Sequence, residues 1–85
     1  MKLWIKVIKE EKILQNVVVQ NELPLNSDNY ESTLSEVCHK LDLSTPITLS
    51  MHFNSLVRFN ITEYKERDFI EPIDFTKLTV ENIAD

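Results

Sequence analysis

Not one of the 85 residues is glycine. An ordinary chain carries roughly 7%, and the lack matters because glycine enters the positive-φ region without steric cost and lets a backbone approach a ligand closely. Phosphate-cradling loops, dinucleotide-binding turns, the nucleophile elbow and the EF-hand calcium loop all depend on it. Those classes are excluded. Left-handed turns must fall to other residues, and the asparagines at 16, 21, 26, 29, 54, 60 and 82 are the natural candidates, since a short polar side chain can bond locally to the strained backbone.

From Leu3 the chain alternates, with Leu3, Ile5 and Val7 on one side and Lys2, Trp4, Lys6 and Ile8 on the other, the period of a strand. Beyond "KEEK", Ile13, Val17 and Val19 repeat the odd-numbered apolar side. Two strands that both bury odd positions need an odd number of residues between them, so a three-residue loop at Glu10-Glu11-Lys12 is expected. It sets Trp4 opposite Val18, Lys6 opposite Asn16 and Ile8 opposite Leu14. "NELPLNSDN" then reads as a polar connector broken by Pro24.

"YESTLSEVCHKL" has helical spacing, with Leu34, Val37, Cys38 and Leu41 on one stripe. Thr33 and Glu36 fit a capping box, with Asp28 and Ser32 as competing starts, and Pro46 stops the helix. Glu36 and Lys40 form a favourable i, i+4 pair on its solvent side. Cys38 and His39 are neighbours in sequence yet point about 100° apart around a helix. Cys38 therefore belongs to the core stripe and His39 to the surface, and the two make no nucleophile pair.

Alternation returns in "ITLSMHF", placing Ile47, Leu49, Met51 and Phe53 inward and Thr48, Ser50 and His52 outward. It continues with Val57, Phe59 and Ile61 inward and Arg58, Asn60 and Thr62 outward, so a second hairpin with a loop through Leu56 is expected. Phe53, Leu56 and Phe59 in the same stretch also suit a helix, but the alternation favours strands. "KERDFIEPIDF" reads as a long loop with one helical turn, whose Phe69, Ile70, Ile73 and Phe75 plug the core. "KLTVENI" closes the chain as a strand with Leu78 and Val80 inward. Residues 1–85 make one domain, because a chain this short has room for a single modest core.

The formal net charge is -5 and arginine occurs only at 58 and 67, which speaks against phosphate neutralisation and hence against nucleic acid. Lys6, Lys9 and Glu10 interrupt the apolar start too early for a signal peptide, and no run reaches membrane-spanning length. A single cysteine forms no internal disulfide. These features favour a cytoplasmic setting without membrane contact, in which the Asn60-Ile61-Thr62 sequon is chance.

The order strand, strand, helix, strand, strand, loop, strand resembles the β-grasp, or ubiquitin-like, fold. That resemblance implies an α+β, β-grasp-like domain: a mixed four- to five-stranded sheet, one main helix packed on one face, and the last strand parallel beside the first. Separately, "LDLSTPITL", "RFNITEY" and "DFIEPIDFTKLTVENI" are similar to a set of small uncharacterised bacterial proteins, a likeness that brings no activity with it. Within the β-grasp group, sulfur carriers and ubiquitin act through a C-terminal Gly-Gly where this chain has "ENIAD", and the ferredoxins need four cysteine ligands. What the resemblance leaves is a binding use of the fold.

Chemistry-bearing residues are sparse. His39 and His52 lack metal-ligand spacing. Asp68, Glu71 and Asp74 recur every third residue but match no known cation loop. Ser50 and His52, two apart on a strand face, could meet as hydroxyl and imidazole, and with the loop acids they define the enzymatic alternative, a small hydrolase or metal-dependent enzyme. The stronger signal is the outer face of the first hairpin, where Trp4, Ile8, Leu14 and Val18 gather beside Lys6, since an apolar patch with polar neighbours marks contact surfaces. A non-enzymatic protein-interaction module, without cofactor or metal, is the function expected, with a protein or a second copy of the chain as partner.

Overall fold

The structure is a computed structural model and describes residues 2–20 and 26–84. In chain order these form β1 (Lys2–Lys9), β2 (Lys12–Gln20), α1 (Ser27–Lys40), α2 (Ser50–Phe59), β3 (Ile61–Lys65), a 3-10 turn at Glu66–Asp68, and β4 (Lys77–Ala84). The strands make one sheet in the order β2-β1-β4-β3. Every neighbouring pair is antiparallel. The α+β class therefore stands, while the mixed sheet, the fifth strand and the single helix give way to an antiparallel four-stranded sheet with two helices. The last strand does lie beside the first, but it runs in the opposite direction.

The first hairpin keeps its expected parity by another route. Only Glu10 and Glu11 form the turn, both at positive φ (50° and 71°), the requirement of the type I′ turn that matches strand twist. The odd residue appears instead as a bulge: Ile8 pairs with Ile13, Val7 pairs with Gln15, and Leu14 is left over. Trp4 faces Val18 and Lys6 faces Asn16, as expected. Leu14 does not face Ile8, and Ile13 joins the outer side rather than the core.

Helix α1 starts earlier than Thr33. Asn26 caps it, accepting from the Asn29 N–H at 2.9 Å while the Asn29 side chain accepts from the Asn26 N–H at 3.0 Å. The polar pair satisfies two of the backbone donors that a helix start leaves over. The connector residues 21–25, with Pro24, lie outside the described residues. At the other end Asp42 adopts φ 59°, and the N–H groups of Asp42 and Leu43 reach the carbonyls of His39 and Cys38 at 3.1 and 2.8 Å. This is a Schellman ending with aspartate in glycine's place. It stops the helix well before Pro46.

The second expected hairpin is instead α2 followed by β3. Burial in "SMHFNSLVRF" falls on His52 and Leu56, four residues apart, while Met51, Val57 and Phe59 are exposed, so the apparent alternation has no common buried side. His52 Nδ1 accepts the Leu49 N–H at 2.8 Å and so fixes the helix entry. Asn60 at φ 62° ends it, its N–H bonded to the Leu56 carbonyl at 2.9 Å. Because β3 takes its register from that ending, its parity is the reverse of that expected: Thr62 and Tyr64 are buried and Ile61 is exposed.

The core lies between one face of the sheet and both helices. Leu3, Ile5 and Val7 of β1, Tyr64 of β3, and Leu78 and Val80 of β4 meet Tyr30, Leu34, Val37 and Cys38 of α1 and Leu56 of α2. Phe69 and Phe75 close one end in an edge-to-face pair with ring centroids 5.6 Å apart. Ile73 packs partly against them, whereas Ile70, expected in the plug, is 84% exposed. No helix among the described residues is long and apolar enough to cross a membrane.

Candidate functional site

With both helices on one side, the opposite face of the sheet carries no described element. β1 presents Trp4, Lys6 and Ile8 there, each half-buried by its neighbours. Across the ladder they stand against Val18, Asn16 and Ile13 of β2, and against Glu81, Thr79 and Lys77 of β4. Ile61 extends the Trp4–Glu81 row onto β3. Of the expected contact residues, Trp4, Lys6, Ile8 and Val18 thus share one surface, with Val18 51% exposed. Leu14, 54% exposed, stands in the bulge beside them.

Trp4 is held in place. Its indole Nε1–H donates to Asn16 Oδ1 at 3.2 Å, and Lys6 Nζ sits 4.1 Å from the ring centroid, a cation–π contact worth about 0.5–1 kcal/mol at such a site. Lys6 also pairs with Glu81 at 3.6 Å, and Lys77 pairs with Glu63 at 2.6 Å. These two diagonal ion pairs bracket Thr79 and leave it only 3% exposed. The face is apolar toward β2 and charged toward β3. A fixed aromatic ring in such a setting loses little freedom when it is covered, the condition that favours an anchor residue at an interface.

Of the residues of the enzymatic alternative, the structure brings His52 and Asp68 together and separates them from Ser50. His52 is 2% exposed rather than on the surface. Its Nδ1 accepts the Leu49 N–H, which puts the proton of a neutral ring on Nε2. That nitrogen stands 3.4 Å from Asp68 Oδ2 without making a hydrogen bond. Asp68 Oδ2 in turn accepts the Lys65 N–H at 2.8 Å. Ser50 and His52 are two apart on a helix and so point to opposite sides: Ser50 lines a shallow cleft of about 340 Å³ with Thr48 and Glu31, and His52 lines a different one of about 290 Å³ with Thr62 and Glu63. Glu71 accepts from the Ser44 hydroxyl at 3.0 Å, and Asp74 is exposed. Among the described residues no three His, Cys, Asp or Glu side chains gather as a metal site would require.

One polar cluster escaped the sequence altogether. The Tyr30 and Tyr64 hydroxyls lie 2.8 Å apart, the Tyr64 hydroxyl meets Thr48 Oγ1 at 3.0 Å, and the His52 ring stacks on Tyr64 at 4.4 Å. Burial raises the pKa of both tyrosines. It also pushes the Cys38 thiol up to about 11, which a hydrogen bond with Thr45 only partly offsets. Both effects keep these groups protonated and inert at neutral pH. The cluster ties α1, α2 and β3 together, and its Thr48 lines the cleft of about 340 Å³.

No family model, curated protein or solved structure matches this chain.

Proposed function

We propose that this chain is a non-enzymatic interaction module that binds another protein through the outer face of its sheet, with Trp4 as the anchor and Lys6, Ile8, Leu14 and Val18 around it. The observation that carries this reading is the one-sided packing: Trp4 stays half-exposed and pinned by Asn16 and Lys6, although apolar core positions stand on the same strand. The likeness to β-grasp proteins lends the order of hairpin, helix and last strand beside the first, but not the direction of that strand, so the weight rests on the face itself. The buried lone thiol suits a reducing, cytoplasmic setting. The separation of Ser50 from His52 favours the binding reading over the enzymatic alternative, of whose residues only His52 and Asp68 are neighbours.

A photo-crosslinking residue placed at Ile8 is expected to capture a discrete protein in cells, whereas the same residue at Glu36, exposed on α1, captures none. Equal capture from both positions would overturn the reading. So would weak acrylamide quenching of Trp4, the only tryptophan, in the monomeric protein.

A further inference from the structure

The two edges of the sheet are protected very differently. β3 is five residues long and carries Glu63 and Lys65, and the Ser55 hydroxyl of α2 caps its Ile61 carbonyl at 2.7 Å. Short length, charge and covering groups are the usual defences of an exposed strand edge. β2 has none of these along most of its length. It runs nine residues, and from Ile13 to Gln20 it contains no charge and no proline. Its single bulge lies beside the turn, so Gln15–Gln20 forms a regular ladder with β1. No described residue pairs with its outer edge.

β2 is also incompletely covered on both sides. No residue of it is buried, whereas its neighbours Leu3, Ile5 and Val7 on β1 are fully so. Val17 and Val19 touch the core yet remain partly exposed, and Val18 looks outward. A strand laid alongside β2 would cover both sides together and take up the backbone groups left over at the edge.

We infer that the occupant is a second copy of this chain, with two β2 strands paired antiparallel about a two-fold axis through Val18 to make one continuous sheet. The strand complements itself in that register. Val18 meets Val18 of the second copy, Val17 meets Val19, and Asn16 meets Gln20, so apolar groups face apolar groups and amide faces amide. Each pair lies on one side of the sheet, as antiparallel pairing demands. No like charges are brought together, and the contact closes on itself as an isologous dimer. The inference goes beyond the proposed function: edge pairing shares only Val18 with the outer face, leaves Trp4, Lys6 and Ile8 open, and joins two copies of that face side by side.

The test uses the full chain. Light scattering is expected to give twice the monomer mass in the micromolar range for the wild type, and the monomer mass for Val18→Lys and for Val18→Glu. Mixing the two variants restores the dimer, because lysine then faces glutamate across the axis. Hydrogen exchange on the wild type needs no variant: β2 amides not bonded to β1 become protected as concentration rises. A wild type that stays monomeric, a Val18→Lys protein that still dimerises, a mixture that fails to recover, or β2 amides that exchange freely at every concentration would each overturn the pairing. Persistence of the Val18→Lys dimer together with loss of Trp4 quenching would instead place the contact on the outer face.

Discussion

Thr79 sits at the centre of the outer face with its hydroxyl buried and no hydrogen-bond partner among the described residues. It is 3% exposed between Lys6 and Glu63, its partners across the two ladders, each engaged in an ion pair of its own. A hydroxyl buried in this way costs about 1–3 kcal/mol relative to one that is satisfied. Thr79→Val removes the polar atom while preserving shape, and is expected to raise stability by roughly 1 kcal/mol. A higher urea midpoint at unchanged slope would show it; a lower midpoint would mean that the hydroxyl is bonded after all.

At the level of the element, the turns show how a chain without glycine closes its corners. Asparagine does so at Asn60, but Asp42, Glu10 and Glu11 occupy the other positive-φ positions among the described residues. Two consecutive glutamates at a hairpin tip are an unfavourable choice, since each non-glycine residue there pays about 1–2 kcal/mol in steric cost. They hold because the loop is tied from outside, the Glu10 N–H donating to Thr76 Oγ1 at 3.0 Å and the Thr76 N–H to the Ile8 carbonyl at 2.8 Å. Replacing Glu10-Glu11 with Asn-Gly, the favoured type I′ pair, is expected to stabilise the protein by roughly 1–2 kcal/mol. Thermal or urea unfolding of the double variant tests this, and a loss of stability would show that the glutamates make contacts beyond the turn.

Across the whole molecule, the buried tyrosine pair and the buried thiol set a limit at alkaline pH. Cys38 is raised from 9.0 to about 11, and Tyr30 and Tyr64 are raised above 10.0, in each case chiefly by burial. A folded state that holds protons more tightly than the unfolded chain is fully favoured below the unfolded pKa values and loses that advantage as pH rises past them. Stability should therefore be flat with respect to these groups up to about pH 9 and fall above it. Both tyrosines of the chain are in the cluster, so tyrosinate absorbance should appear only together with the loss of secondary structure. A tyrosinate signal that develops in the folded protein would contradict the buried pair.

The local pattern alone determined the two strands of the first hairpin, their parity away from the turn, the outward aspect of Trp4 and the core stripe Leu34, Val37 and Cys38, because each depends on side-chain period within one element; the two-residue turn and the bulge that carries Ile13 outward were not legible in it. It also pointed to asparagine where glycine usually stands, which holds at Asn60, while the structure puts the acids Glu10, Glu11 and Asp42 at the other positive-φ positions among the described residues. Residues 50–59 were decided by tertiary structure: both periods were present, and the burial of His52 and Leu56 against β3 and Tyr64 selected the helical one. The direction of β4, the reversed parity of β3 and the tyrosine cluster likewise depend on how distant segments meet. A sequence period says which residues share a side, but only packing decides which side faces the core and which strand lies next to which.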